Sequence, residues 1–135
     1  MIPEWVNNYI GINFVEHGRD KNGCDCWGLI KMVLKEQFRI DDLIDFSEKY
    51  DHTRERDKIS KLCKDEALNW QSVKKPQAGD VILLRVSGMP THVGVVINPP
   101  WMLHCEYGKG TVLECYERLS WKNRIEGFYR HVRTT

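Results

Sequence analysis

The residue best placed for nucleophilic chemistry is a cysteine at the start of a predicted helix. Gly23 and Gly28 bracket a polar turn that contains Cys24, Asp25 and Cys26, and an apolar helical pattern follows directly. A helix N-terminus presents unpaired backbone N–H groups and the positive end of the helix dipole, and both favour a thiolate over a thiol. Cys26 is therefore a candidate nucleophile, and it requires a base.

Two of the five histidines stand out as partners for this thiol. His92 and His104 lie on successive predicted strands that are joined by a short, proline-containing hairpin. Because side chains alternate between the two faces of a strand, a register with Gly94 opposite His104 places both imidazoles on one face. A cysteine, an imidazole and a third polar group that orients the imidazole can carry out acyl transfer. The other three histidines are expected to have surface or structural roles: His17, His52 and His131.

The opposite face of these two strands is predicted to be a core surface. It collects Val93, Val95, Ile97, Trp101, Leu103 and Cys105. Free cysteine behaves as a small hydrophobe, so Cys105 is assigned to packing, as are Cys24 and Cys63.

A zinc site is an alternative use of the same residue types. Cys24, Cys26, His92 and His104 are all possible zinc ligands. The Cys-x-Cys spacing lacks the usual gap of two to four residues, and the histidine spacing matches no zinc finger. The prediction is therefore a thiol site that holds no metal and needs no cofactor.

The elements that must position these residues divide the chain into a helical part and a strand-rich part. Apolar spacing predicts a short amphipathic helix from Glu4 to Ile10 and a core helix from about Cys26 to Gln37. A second amphipathic helix is marked by apolar positions from Ile59 to Trp70, with Asp51 or Thr53 as possible caps. The candidate strands are Val81–Val86, His92–Ile97, Trp101–Glu106, Thr111–Tyr116 and Glu126–His131. Helices followed by antiparallel strands predict an α+β fold with a small curled sheet, in one domain that spans residues 1–135.

Composition excludes several other classes of protein. The 20 basic and 19 acidic residues leave a formal net charge of +1, which gives no reason to expect nucleic acid as a partner. Five cysteines without a regular framework predict reduced thiols. The N-terminus lacks a secretory signal pattern, and no segment has the apolar length of a membrane span. We therefore expect synthesis in the cytoplasm and no membrane insertion.

Four segments resemble the NlpC and p-sixty superfamily of cell-wall cysteine peptidases, which have a papain-like fold. Asp25–Ile30 resembles the nucleophile motif of that superfamily, and Gly79–Leu84 resembles its glycine-aspartate strand. Thr91–Val96 resembles its histidine strand, and Met102–His104 resembles its third, imidazole-orienting position. The resemblance covers nearly the whole chain, with the motifs in the order and spacing of the family.

The resemblance implies a role for each matching residue. Cys26 is expected to be the nucleophile, His92 the base and His104 the residue that orients the imidazole. The backbone N–H of Cys26, with Asp25 beside it, is expected to donate a hydrogen bond to the oxyanion. Trp27 is expected to contact the substrate.

Phe14 is also expected to lie at the substrate, although it departs from the family pattern. Many wall-recycling members carry a tyrosine near this position, whose hydroxyl reaches the cysteine region. Phe14 has no hydroxyl and cannot make that hydrogen bond.

The resemblance also implies a substrate. Peptidases of this superfamily cut peptidoglycan stem peptides, commonly between γ-D-glutamate and a diamino acid. The tryptophan after the cysteine, the lead-in from Gly11 to Gly18 and the ending Gly127–His131 resemble the phage and prophage tail branch in particular. The expected partners are thus peptidoglycan and other phage tail proteins, with action at the host cell wall. The alternatives are an amidase or acyltransferase with the same cysteine and histidines, and a structural tail-assembly protein with little activity.

Overall fold

The first helix carries the candidate nucleophile, and local sequence determines both of its ends. In this computed structural model, which describes residues 1–50 and 56–131, helix α1 spans Cys26–Phe38. Asp25 caps it, because its side chain accepts a hydrogen bond of 2.8 Å from the Gly28 N–H. Arg39 ends it in a left-handed conformation, and its N–H donates to the Leu34 carbonyl. The prediction of a core helix that begins at Cys26 is confirmed.

Gly28 has a steric reason to be glycine. A Cβ atom at this position would lie 2.0 Å from the carbonyl oxygen of Gly18, which is a backbone atom in the loop before the helix. The first turn of α1 can therefore lie directly against that loop only when residue 28 has no side chain.

The other helical segments differ from the predictions at their ends. Glu4–Asn8 is a 3-10 helix rather than an α-helix, and it buries Val6. Helix α2 spans Arg56–Ala67, so it ends before Trp70. The candidate caps Asp51 and Thr53 lie outside the described residues, as does His52. In the part of the chain that the structure describes, no helix is long and apolar enough to cross a membrane.

Among the described residues, strands form a two-stranded hairpin and a six-stranded antiparallel sheet. The hairpin, β1 (Arg19–Asp20) and β2 (Gly23–Cys24), leads directly into α1. The sheet contains β3 (Gln71–Val73), β4 (Val81–Val86), β5 (Met89–Asn98), β6 (Trp101–Glu106), β7 (Gly110–Cys115) and β8 (Ile125–Arg130). Its order is β3-β8-β4-β5-β6-β7. All five predicted strands are present, whereas β1, β2 and β3 were not predicted.

The two faces of the sheet carry different sets of side chains. One face forms the core with α1 and contains Val93, Val95, Ile97, Leu103 and Cys105. The other face carries a smaller apolar cluster: Ile82, Leu84, Val96, Met102, Tyr116 and Trp121. Trp101, which was predicted on the core face, is half-buried and lies under the guanidinium of Arg118.

A buried ion pair fixes the start of β4 to the end of β8. Asp80 is fully buried, and its two carboxylate oxygens accept hydrogen bonds of 2.8 Å from Nε and Nη2 of Arg130. One of these oxygens also accepts from the Gln77 N–H at 2.8 Å. This pair anchors the junction of β4 and β8.

Candidate active site

Cys26 lies at the junction of α1 and the sheet. It is the first residue of the helix, and only 5 % of its surface is exposed. Its sulfur accepts a hydrogen bond from the backbone N–H of Val93 in β5. Because that nitrogen belongs to the peptide group between His92 and Val93, the thiol lies beside the strand segment that carries the candidate base.

The environment of this thiol opposes its ionisation. Burial of Cys26, followed by the negative charge of Asp25, raises the pKa of the thiol well above its ordinary value, and the hydrogen bond from Val93 offsets this only in part. The helix terminus therefore does not by itself produce a thiolate, contrary to the simplest expectation from the sequence. A base must take the proton during the reaction.

Asp25 organises the loop in front of the helix. Its Oδ1 atom accepts from the Gly28 N–H and from Nη1 of Arg19, each at 2.8 Å. Its Oδ2 atom accepts from the His17 N–H at 3.0 Å and from the hydroxyl of Tyr50. The carboxylate is fully buried, so these four donors hold the helix start, the preceding loop and residue 50 in one arrangement.

The two histidines lie on the same face of the sheet, as predicted. Gly94 pairs with His104 in the register of β5 and β6. Nε2 of His92 lies 2.8 Å from Nδ1 of His104, which is within hydrogen-bond distance. A Cβ at residue 94 would lie 3.2 Å from the Cβ of His104, so the glycine gives the imidazoles the space that they occupy.

A carboxylate that was not predicted from the sequence extends this hydrogen-bonded pair of histidines. Nε2 of His104 lies 2.7 Å from Oε1 of Glu114 in β7. Burial alone raises the pKa of Glu114, but the hydrogen bonds that it accepts from His104 and Trp121, together with the positive charge that His104 carries when it is protonated, bring it below its ordinary value. Glu114 is thus ionised at neutral pH.

His104 is fully buried, and its burial is the main influence on its protonation. Burial lowers the pKa of its imidazole, and the hydrogen bond with Glu114 and the charge of Glu106 oppose this without reversing it. His104 is therefore a neutral imidazole at neutral pH.

Trp121 encloses the histidine pair. Its ring stacks on His92 at 5.7 Å between centroids and meets His104 edge-on at 5.2 Å. Its Nε1–H donates to Oε1 of Glu114 at 3.3 Å. One buried aromatic residue therefore contacts both imidazoles and the carboxylate.

Among the residues that were missed, Glu114 had a recognisable signal in the sequence. Glu114 shares a face of β7 with Val112, which pairs with His104, so strand alternation directs its side chain towards that histidine. It is a charged residue within an apolar strand, and this was the available signal. Arg19 and Tyr50 had no such signal, because loop geometry rather than periodicity brings them to Asp25.

The two predicted substrate residues have different neighbours. Trp27 donates from Nε1 to the Ile44 carbonyl at 2.8 Å. Phe14 pairs with Cys24 in an isolated bridge and contacts the Tyr107 ring edge-on at 5.4 Å. Substrate contact of either residue stays a prediction.

A cleft opens beside the nucleophile between α2 and the core face of the sheet. It encloses about 680 Å³ of open space, counted to its mouth. Its walls include Cys26, Trp27, Cys63, Trp70, Val93 and Tyr129. Among its lining residues that the structure describes, Glu66 is the one that carries a charge. Burial raises the pKa of the Cys63 thiol to about 12, consistent with a packing role.

Four other cysteines and histidines have structural surroundings: Cys24, Cys105, His17 and His131. Cys24 is fully buried with its sulfur 3.9 Å from the Thr111 hydroxyl, and Cys105 donates to the Cys24 carbonyl at 3.2 Å. Nε2 of His17 lies 2.6 Å from the Tyr50 carbonyl. His131 is buried and packs against Trp70.

The four residues of the zinc alternative do not form one compact ligand group. Within residues 1–50 and 56–131, the group of possible ligand atoms close enough to share an ion is His104, Glu106 and Glu114. That group includes no cysteine. The donor set of the zinc alternative is therefore not assembled in the described parts of the chain.

Comparison with known proteins assigns this arrangement to a family. The model of the NlpC/P60 family matches residues 11–130. The chain belongs to the NlpC/P60 family. The match includes all of the residues that form the candidate site, from Phe14 to Trp121.

A curated relative agrees with this membership. The chain is 25% identical over 123 residues to a protein of Escherichia coli (strain K12) named "Murein DD-endopeptidase MepS/Murein LD-carboxypeptidase". That alignment covers 91% of this chain and 57% of the relative, so the chain spans little more than half the length of the curated relatives that it matches.

The structural likeness concerns the fold. An NLP/P60 family protein from Staphylococcus aureus, described as similar to a lipoprotein, has a TM-score of 0.65 at 21% identity, covering 93% of this chain and 38% of the other. The NlpC/p60 domain of the peptidoglycan hydrolase SagA has a TM-score of 0.62 at 18% identity, and the match covers 92% of this chain and 91% of that domain. The chain therefore has the α+β, papain-like fold of NlpC/P60 domains.

Proposed function

We propose that this chain is a cysteine endopeptidase that hydrolyses amide bonds in peptidoglycan stem peptides. The observation that carries the proposal is the position of Cys26, whose sulfur lies at the peptide group that joins His92 to Val93. Behind it, the hydrogen-bonded chain from His92 through His104 to Glu114 supplies and orients a base. Membership of the NlpC/P60 family and the murein activities in the name of the E. coli relative support this substrate class.

The first chemical step is acylation of the enzyme. His92 takes the thiol proton of Cys26, and the thiolate sulfur attacks the amide carbonyl carbon while the carbonyl π electrons move to oxygen. The backbone N–H of Cys26 and the helix start stabilise this oxyanion. The C–N bond then breaks, the leaving amine takes the proton from the His92 imidazolium, and a thioester remains.

The second step releases the acyl group. His92 takes a proton from water as the water oxygen attacks the thioester carbonyl. The C–S bond breaks, a carboxylic acid leaves, and the proton returns from His92 to the Cys26 sulfur. Atoms and charges balance over the cycle without a cofactor.

Defined muropeptides test this activity. Wild-type protein is expected to convert a stem peptide into two fragments separable by mass spectrometry, and Cys26→Ala and His92→Gln are expected to yield none above background. Cys105→Ala is the matched control, because this thiol is buried in the core and is assigned to packing. Cleavage by Cys26→Ala at the wild-type rate would refute the assignment of the nucleophile.

Fragment masses also identify the bond. We propose the bond between γ-D-glutamate and the diamino acid, as the motif resemblance implies. Cleavage of the D,D cross-link instead would match the activity in the name of the E. coli relative and would correct this part of the proposal.

The apolar cleft favours a second candidate within the same chemistry. Its walls are mostly aliphatic and aromatic, whereas a stem peptide carries carboxylates and amines. An amidase or acyltransferase with an apolar acyl donor would fit these walls. Formation of a thioester on Cys26 from a medium-chain acyl donor, with no cleavage of muropeptides, would favour this candidate.

We also propose that the protein acts with a phage tail at the host cell wall. The support is the resemblance to the phage and prophage tail branch at Trp27, at the segment from Gly11 to Gly18 and at Gly127–His131. Detection of the chain in purified virions by mass spectrometry is the expected result, and its absence from complete virions would contradict a role as a virion component.

A further inference from the structure

The hydrogen-bonded series from His92 through His104 ends on the carboxylate of Glu114. This carboxylate determines the direction of both hydrogen bonds in the series. Oε1 of Glu114 lies 2.7 Å from Nε2 of His104, and Nδ1 of His104 lies 2.8 Å from Nε2 of His92. His104 is fully buried, so its two nitrogens have these partners in place of solvent.

The directions follow from which atoms can donate. An ionised carboxylate can only accept, so Nε2 of His104 must carry the proton of that hydrogen bond. A neutral imidazole carries one N–H, so Nδ1 of His104 has a lone pair and accepts from the Nε2–H of His92. The neutral His92 then has its lone pair on Nδ1.

We propose that Glu114 is a positioning residue that fixes both tautomers, so that Nδ1 of His92 is the nitrogen that receives the proton of Cys26. This inference rests on the proposed cysteine chemistry. In the step, the Sγ–H bond of Cys26 breaks, an Nδ1–H bond forms on His92, and Glu114 remains a carboxylate throughout.

The surroundings of Glu114 support this role. Trp121 donates to the same Oε1 atom at 3.3 Å and packs against both imidazoles, so the carboxylate is held in place from a second side. The other charged groups that act on His104 are Glu106 and Lys109, which form an ion pair with each other at 3.6 Å. Glu106 is thus a nearby carboxylate whose charge acts on His104, whereas Glu114 is the carboxylate that accepts the hydrogen bond from Nε2 of His104. This makes Glu106 the matched control.

Glutamine at residue 114 removes the constraint on direction. Its amide can donate to Nε2 of His104 as well as accept from it. If it donates, His104 carries its proton on Nδ1 and donates to Nε2 of His92, which moves the His92 proton to Nδ1. That tautomer cannot accept the proton of Cys26 at the same atom.

The tautomers can be measured directly by ¹⁵N NMR of the imidazole rings at neutral pH, without substrate. In the wild type, both His92 and His104 are expected to be Nε2–H tautomers. Glu114→Gln is expected to show a mixture or a shift to Nδ1–H, whereas Glu106→Gln is expected to match the wild type. Finding His104 as the Nδ1–H tautomer in the wild type would overturn the proposal without reference to any variant.

The reactivity of Cys26 gives a second readout that a purely structural role of Glu114 would not change in a folded protein. The assay is alkylation by iodoacetamide at neutral pH, followed by mass spectrometry of the peptide that contains Cys26. In Glu114→Gln the alkylation rate is expected to fall by about tenfold or more, because a wrong tautomer in a comparable triad lowers the catalytic rate by much more than this. In Glu106→Gln the rate is expected to stay within about threefold. Equal rates and equal tautomers in wild type and a folded Glu114→Gln would refute the inference.

The outcome for this inference is separate from the outcome for the proposed function. If wild-type protein cleaves no muropeptide but shows the two Nε2–H tautomers and their dependence on Glu114, the substrate is wrong and the role of Glu114 stands. If muropeptides are cleaved and the tautomers do not depend on Glu114, the substrate stands and the positioning role is wrong.

Discussion

Asparagine at residue 25 is expected to weaken the fold and to make the candidate nucleophile more acidic. Asp25 is fully buried and accepts from four donors, among them Nη1 of Arg19 at 2.8 Å and the His17 N–H at 3.0 Å. Asparagine keeps one oxygen for the Gly28 N–H and for Arg19, so the helix cap survives. Its NH₂ group, however, faces the His17 N–H and the Tyr50 hydroxyl.

The magnitude follows from these contacts. A backbone N–H that loses its acceptor in a buried site costs about 1–3 kcal/mol, and weakening a charged hydrogen bond to Arg19 costs about 1–2 kcal/mol more. The Tyr50 hydroxyl can rotate and accept from the new amide, so it adds little. The free energy of unfolding is thus expected to fall by about 3 kcal/mol for Asp25→Asn, equivalent to a fall in Tm of about 10 °C for a domain of this size.

The same substitution changes the thiol. The charge of Asp25 is the second largest cause of the raised pKa of Cys26, so its removal lowers that pKa and increases the thiolate fraction at neutral pH. Alkylation of Cys26 is expected to become several-fold faster in the protein that remains folded. Urea denaturation and the alkylation rate of the peptide that contains Cys26 measure the two effects.

Asp80→Asn is the matched control for this variant. Asp80 is also fully buried and also binds an arginine and a backbone N–H, but it lies at the junction of β4 and β8. Asp80→Asn is expected to destabilise the fold and to leave the alkylation rate of Cys26 unchanged. Full stability of Asp25→Asn, or the same alkylation rate in both variants, would refute this account of Asp25.

Three further substitutions test other parts of the site. Cys24→Ser is expected to cost about 1 kcal/mol in urea denaturation and to leave muropeptide cleavage intact, and loss of activity together with bound zinc by elemental analysis would favour the metal alternative. Trp121→Phe removes the donor to Glu114 but keeps a ring over the imidazoles, so activity is expected to fall by less than about tenfold. A complete loss of activity would show that this hydrogen bond contributes more than its length of 3.3 Å indicates. Gly28→Ala places a methyl group 2.0 Å from a backbone oxygen and is expected to cost about 3 kcal/mol or more in urea denaturation, whereas wild-type stability would mean that the loop and helix do not pack as described.

The placement of the two histidines could be predicted from the sequence, because strand alternation governs it. The spacing of His92, Gly94 and His104 was enough to place both imidazoles on one face, because one short hairpin determines the register. The start of α1 at Cys26 also followed from local residues, because Asp25 caps the helix.

What the sequence did not predict depends on contacts between distant segments. Strand β3 contains one apolar residue in three, and it exists because its backbone pairs with β8 at the edge of the sheet. The bond from Arg19 to Asp25 requires the loop geometry of a hairpin that has no periodic pattern. The raised pKa of Cys26 is likewise a consequence of burial, which the position of the residue at a helix start does not reveal.

The mechanism would be tested most directly by trapping the acyl-enzyme. Wild-type protein mixed with a defined muropeptide and quenched in acid within milliseconds is expected to carry a mass increase equal to the acyl fragment, located on the peptide that contains Cys26 and labile to hydroxylamine. His92→Gln is expected to carry no such adduct. Product release with no adduct on Cys26 at any time, or an adduct on another residue, would contradict the assignment of Cys26 as the nucleophile.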